Sequence, residues 1–170
     1  MFSLEKQKVL LASVNCRAEN HGEDKVLAID MKFAAKLSNE VLIEFDPSLK
    51  SFLFKEADAG QAELSLEDAT RLSALRFPNM GSVGWKADLE GYAFKLHYGA
   101  GGKSDVKLID CKVNNFRLTP QEGGSVEVSF RVQANPLPTE MPRILEYLQR
   151  EAEIDLLPPE MQQEELQEAA

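Results

Sequence analysis

The sequence predicts a mainly β fold, an antiparallel β-sandwich or curled barrel with short helices inserted. Three observations lead there: apolar and polar residues alternate over long stretches, turn-forming residues divide those stretches, and helical periodicity is confined to brief segments. A period of two puts apolar side chains on one face of a strand and polar ones on the other, as in a sheet buried on one side.

Leu10, Ala12, Val14, Cys16 and Ala18 alternate on a first strand. Leu27, Ile29, Met31, Phe33, Ala35 and Leu37 do so on a second, with Asp30, Lys32 and Lys36 interleaved. Asn20 to Asp24 supplies turn chemistry between them, which predicts a long hairpin. Ser38 suits the cap of a short helix with Val41, Leu42 and Phe45 on its apolar face. Asp46-Pro47 ends that helix and opens another in which Leu49, Phe52 and Leu53 share a stripe. Positions 56–63 read as an exposed loop, and Ser65-Leu66-Glu67-Asp68 has a capping-box arrangement that predicts a helix to Ser73.

Arg76 to Gly81 turns the chain back into sheet. Val83, Trp85, Ala87 and Leu89 then alternate, Glu90-Gly91 turns, and Tyr92, Phe94, Leu96 and Tyr98 return. The Gly99–Gly102 loop leads to a long strand from Asp105 to about Thr119. Its apolar phase slips from Val106/Leu108 to Ile109/Cys111/Val113 and back to Phe116/Leu118, the mark of β-bulges that curve a sheet. Glu122-Gly123-Gly124 turns into a strand carrying Val126, Val128, Phe130, Val132 and Ala134. Thr139 suits the cap of a helix with Ile144, Leu145 and Leu148, and Ile154 and Leu156 predict a last short strand before Pro158-Pro159. The expected organisation is a single β-rich domain over residues 1–157 and an acidic tail over 158–170.

Composition narrows the class. The 170 residues, 44% hydrophobic and 28% charged, are of globular type. Lys6 and Lys8 precede an apolar run, but Ser13, Asn15 and Arg17 interrupt it before it could serve as a signal peptide or membrane span. Two cysteines, Cys16 and Cys111, are too few for a disulfide framework and read as buried free thiols. A soluble, cytoplasmic protein without a membrane partner is expected.

The net charge of -9 is unevenly spread. Residues 151–170 contain seven acids and no Lys or Arg, so the other 150, with 21 acids and 19 bases, carry only -2. Tyr92 to Gln121 holds five bases (Lys95, Lys103, Lys107, Lys112 and Arg117) against two acids, with Arg131 adjoining. Spaced cations near aromatic rings on a sheet face supply what single-stranded DNA needs, charge for phosphates and rings for stacking. Those six residues are the candidate nucleic-acid-binding set. The competing account is the solvated polar face of any half-buried sheet.

No catalytic, metal or cofactor site emerges. His97-Tyr98-Gly99-Ala100-Gly101-Gly102-Lys103-Ser104 ends like a phosphate-binding loop, but His97 stands where the first glycine belongs, and the following residues are strand-like where a helix is required. Cys16, His21, His97 and Cys111 have no close ligand spacing. There is no Gly-x-Ser-x-Gly elbow, and Glu23-Asp24 and Glu67-Asp68 sit where capping and solvation account for them. Glu153-Ile154-Asp155-Leu156-Leu157 loosely resembles the apolar-acidic peptides that bind bacterial sliding clamps, without their leading Gln and final Phe; a strand there would remove that reading.

The runs Asn20 to Asp30, Gly101 to Asp105 and Asn114-Asn115-Phe116-Arg117 resemble a group of short phage and prophage proteins of unassigned function, with the similarity covering most of the body. That resemblance implies an accessory or nucleic-acid-handling role beside recombination and replication genes, and carries over no catalytic residue. Single-stranded DNA-binding proteins also join a β body to an acidic tail, but this tail ends in Ala169-Ala170 without their aromatic tip. The leading expectation is thus a non-catalytic, phage-type accessory protein binding single-stranded DNA. The alternatives are an acidic protein-binding module, acting as inhibitor or adaptor of a host protein, and a small structural phage protein.

Overall fold

The computed structural model describes residues 1–57, 72–100 and 102–162, with the side chain of His21 excepted. The chain is mainly β. Its elements are β1 (Leu4–His21), β2 (Asp24–Ser38), α1 (Leu42–Phe45), α2 (Leu49–Leu53), β3 (Phe54–Glu56), β4 (Leu72–Leu75), β5 (Val83–Leu96), β6 (Val106–Gln121), β7 (Ser125–Ala134), α3 (Met141–Glu146) and β8 (Glu151–Leu157). Among the described residues no helix is long and apolar enough to cross a membrane.

Two compact units divide the chain. The larger comprises Ser3–Ala35, Lys86–Phe116 and Ser129–Ala170; the smaller comprises Met1–Phe2, Lys36–Trp85 and Arg117–Val128. Of the sandwich and the barrel that the alternation left open, the strands adopt the barrel, closed in the order β1-β2-β7-β6-β5-β8. All six contribute to the larger unit. The hairpin β1–β2 closes on the pair His21↔Asp24, with Gly22 at φ 68 supplying the positive φ that a two-residue turn requires.

A six-stranded barrel is narrower than the eight-stranded kind, whose interior side chains already fill. Aromatic rings occupy its middle: Phe33 packs 5.6 Å from both Phe94 and Phe130, and Phe130 lies 6.2 Å from Phe116. Ile29, Met31, Phe33 and Ala35 of β2 all face inward, as their alternation predicts. Ile154 and Leu156 are fully buried on β8, which is the closing strand. It pairs antiparallel with β1 (Leu4↔Leu156, Gln7↔Ile154, Val9↔Ala152) and with β5 (Phe94↔Leu156, Leu96↔Ile154).

Bulges set the phase of the long strands, and they account for several departures from expectation. On β6 two exposed residues, Ile109 and Asp110, and then two buried ones, Val113 and Asn114, break the alternation; Asp110 and Asn115 both take φ 56. The slips fall where the sequence placed them, although Ile109 is 79% exposed and not part of the inward set. Glu90-Gly91 is no turn. Gly91, at φ 76, shifts the burial phase within one continuous strand β5, so the expected hairpin there is absent. On β1, Ala12 is the extra residue opposite β2, and the inward residues before it are Val9 and Leu11, not Leu10. Cys16, expected to be buried, is exposed, while Cys111 is buried as expected.

In the smaller unit Ser38 caps a 3-10 turn that runs into α1, with Ser38 Oγ accepting from Glu40 N–H. Leu42, Leu49, Leu53 and Phe54 form its core with Phe2. Phe52 departs from the predicted stripe and is exposed. Ser73 lies in β4, paired with β3, and not at a helix end; the proposed capping box at Ser65–Asp68 lies outside the described residues. Asn39, buried at the end of β2, donates from Nδ2 to the Leu72 carbonyl (2.7 Å) and from its backbone N–H to the Gly124 carbonyl (3.0 Å), while Gly123 N–H donates to Ser73 O (3.0 Å). One amide thus ties β4 to the β6–β7 turn. Helix α3 begins with Glu140 at the cap position and not Thr139; Ile144 is buried, but Leu145 and Leu148 are exposed.

Two substitutions test this architecture. Ile154→Ala should lower the unfolding free energy by about 2–5 kcal/mol, because a narrow barrel cannot collapse onto the void. Asn39→Ala should cost about 1–3 kcal/mol by stranding buried partners. Urea denaturation reads both; values near zero would contradict the assigned closing strand and the Asn39 tie respectively.

Candidate functional site

The smaller unit carries an open groove of about 640 Å³ lined by Asp46, Ser48, Leu49, Ser51, Phe52, Arg76, Phe77 and Trp85. Its walls follow from local chemistry. Pro47 cannot continue α1, and Asp46 turns the chain by accepting from both Ser48 N–H (2.8 Å) and Ser48 Oγ. These bonds hold the Asp46 carboxyl below the usual range. Helix α2 then buries Leu49 and Leu53 and turns Phe52 outward. Arg76 N–H donates to Leu53 O at 2.9 Å, which fixes the residues after β4 against the end of α2. Phe52 and Phe77 meet with ring centroids 5.4 Å apart, yet they remain 51% and 43% exposed. Trp85 stands edge-on to Phe45 at 6.1 Å, and Phe45 packs on Phe2 at 5.4 Å, so the groove wall is braced by the core.

The cations singled out by the sequence do not form one free surface. Lys95 lies 3.7 Å from Asp105 and 3.7 Å from Asp155. Lys112 lies 3.5 Å from Asp88 and 3.4 Å from Glu90. Arg131 donates from Nε to Asn114 Oδ1 at 2.9 Å. Lys103 and Lys107 are exposed in the larger unit without an acidic partner among the described residues; Arg117 is exposed but belongs to the smaller unit. A polar belt explains Arg131 and Lys112. Arg17 pairs with Asp30, Gln133 donates to Asp30 (2.8 Å), and Asn114 donates to Gln133 (3.1 Å) and to Asp88 (2.9 Å), so the chain of bonds crosses five strands. Burial pushes the Asp30 carboxyl up, but the bonds from Arg17 and Gln133 outweigh it and hold the group low.

Carboxylates expected in an acidic tail are part of this barrel. Glu151, Glu153 and Asp155 lie on β8, which leaves four acids in residues 158–170, so the tail carries -4 and residues 1–157 carry -5 of the total -9. Asp155 Oδ1 accepts from Lys6 N–H (2.6 Å), and its Oδ2 lies 2.9 Å from His97 Nε2. The clamp-peptide reading fails for the same reason, since Ile154 and Leu156 are core residues of a paired strand. Pro158 to Gln162 also stays on the barrel: Gln162 Nε2 donates to the carbonyls of Gly91 (2.9 Å) and Leu157 (3.0 Å).

The Gly99–Ser104 loop joins β5 to β6 and is tied to its own ends. Ser104 Oγ donates to Tyr98 O (2.8 Å), and Asp105 Oδ1 accepts from Tyr98 N–H (3.0 Å). Among the described residues the loop holds only a three-residue 3-10 turn, Gly102–Ser104, and a strand follows it, so it lacks the helix that a phosphate-binding loop leads into. Among the described residues no three His, Cys, Asp or Glu side chains converge as a metal site. Burial pushes the Cys111 thiol up to about 12, which removes it as a nucleophile at neutral pH.

The groove was not legible beforehand. Phe52 fits a core stripe as well as a rim, and only the brevity of α2 hinted that one apolar residue would be left outside. No family model matches the chain, and neither a curated protein nor a solved structure matches it. The site is therefore read from its own chemistry.

Acid titration tests the β8 carboxylate. Burial raises Asp155, but His97, the Lys6 N–H and Lys95 together hold it below its ordinary value. A depressed carboxylate stabilises the fold fully above its unfolded pKa of about 3.9, and that stability is lost as pH falls through the folded value. Asp155→Asn should thus cost about 1–3 kcal/mol at pH 6 and flatten the decline of the urea midpoint between pH 5 and 2. An unchanged pH profile would count against the pairing.

Proposed function

We propose that this chain is a non-catalytic binding module, an adaptor or inhibitor, that docks a partner protein through the Phe52–Phe77–Trp85 groove. The observation that carries the reading is a pair of phenylalanine rings packed on each other at the surface, over a wall braced from behind by Phe45 and Phe2. Exposed aromatic clusters with a rigid base are characteristic of protein-binding surfaces, where large rings supply most of the affinity. Charge favours a protein over nucleic acid here. The smaller unit has six bases against ten acids in its sequence, a net of -4, and its groove offers one guanidinium to a phosphate backbone. The resemblance to short phage and prophage proteins implies an accessory or nucleic-acid-handling role and is compatible with this reading and with the next.

A second reading keeps single-stranded DNA, on the strength of Lys103 and Lys107. Both are exposed cations with no acidic partner among the described residues, at the start of β6 and in the loop before it. The pairing of Lys95 and Lys112 with carboxylates leaves this surface weaker than the sequence suggested.

Affinity capture from host lysate with quantitative mass spectrometry separates wild type from a Phe52→Ala/Phe77→Ala variant. A specific protein retained by the first should be reduced at least tenfold with the second. Because both rings are exposed, the variant should unfold within about 1 kcal/mol of wild type. Identical capture profiles would dismiss the groove. For DNA, fluorescence anisotropy with a labelled oligothymidine should show binding that weakens with salt, strengthens when residues after Gln162 are removed, and disappears in Lys103→Glu/Lys107→Glu. Absence of binding at low salt, with and without the tail, ends the second reading.

A further inference from the structure

We infer that the groove is built for an apolar side chain flanked by carboxylates, that is, for an acidic-aromatic or acidic-aliphatic peptide segment of the partner. The inference rests on the protein-binding reading above and adds the chemistry of the occupant. Three features carry it. The rings of Phe52, Phe77 and Trp85 with Leu49 offer an apolar floor large enough for one bulky anchor. Arg76 stands on the rim, exposed, with its backbone fixed by the bond to Leu53 O, and its guanidinium makes no hydrogen bond or ion pair among the described residues. The groove's one carboxylate, Asp46, stays ionised but is turned to the N–H and hydroxyl of Ser48 and forms no ion pair with Arg76 among the described residues. The nearest lysine on α2, Lys50, is paired with Glu40.

An uncommitted guanidinium beside an apolar floor is complemented by a carboxylate that arrives with its own apolar neighbour. Arginine binds carboxylates through parallel N–H donors, a geometry that an amide or a lysine on the ligand cannot match. The chain's overall negative charge opposes an acidic peptide only at long range. At physiological ionic strength that repulsion is screened beyond about 8 Å, whereas a contact pair at the rim is screened much less.

The protein carries a built-in reporter, since Trp85 is its one tryptophan. Three blocked peptides with the same Leu-Phe core, flanked by aspartates, by asparagines or by lysines, are titrated into the full chain at 150 mM salt while its emission is followed. The aspartate peptide should give a saturable change with a Kd at least tenfold below the other two. Arg76→Gln should erase that preference and leave the asparagine peptide unaffected, and Phe52→Ala should weaken all three. Unchanged circular dichroism and urea midpoints would show that both exposed-site variants remain folded.

Each other outcome is decisive. Equal or tighter binding of the asparagine or lysine peptide overturns the acidic preference while the groove reading stands. Silence with every peptide removes both. A change in emission with protein concentration alone, accompanied by dimer in sedimentation, would make a second copy the occupant and overturn the proposal.

Discussion

The seam that β8 makes with β1 on one side and β5 on the other is the contact on which the larger unit depends. Without it β1 and β5 are edges, each presenting a row of unpaired backbone groups and one side of an aromatic core. Closure satisfies those groups and seals Phe33, Phe94 and Phe130 from water in one step. The seam is reinforced where it is shortest. Asp155 reaches Lys6 on one neighbour and His97 on the other, so a single carboxylate spans both joints. The placement also explains why a negatively charged segment can be structural: Asp155 meets donors on both neighbours while Ala152, Ile154 and Leu156 fill the interior.

Much of this could be read in the sequence, and the failures have particular causes. The β2 face, the alternation of β7, the closing strand at Ile154/Leu156 and the slips along β6 were all visible as period-two patterns and breaks in them. Val9-Leu10-Leu11 was not decidable, because adjacent apolar residues support either phase and the extra residue Ala12 shifts the register beyond them. Gly91 misled for a related reason. A turn and a bulge both need a residue at positive φ, and only the pairing partners of β5 distinguish them. Three of the expected helices were located to within a residue or two, whereas the expected helix end at Ser73 is part of β4; a helix of one turn buries too few positions for periodicity to say which apolar residue stays outside.

The candidate sites divide along the same line. Charges were countable in the sequence, but their partners were not, since Lys95 meets Asp105 and Asp155 from positions ten and sixty residues away. Lys95 and Lys112, which look like part of one stripe in one dimension, become members of local ion-pair clusters once strands are aligned, whereas Lys103 and Lys107 stay exposed without an acidic partner among the described residues. The aromatic groove behaves oppositely. Its members come from three separate segments, two of which read as ordinary core and one, Arg76–Phe77, as a turn, and the surface exists only because α2, the residues after β4 and the start of β5 converge.

The pairing of β1 with β8 has a consequence for the time course of folding. Lys6 and Asp155 are 149 residues apart in sequence, so the first strand formed must wait for the last one made. Contacts of such separation are slow to close and leave an incomplete sheet exposed in the interval. Until β8 is available the outer edge of the β1–β2 hairpin stays unpaired, so local contacts alone cannot complete the barrel.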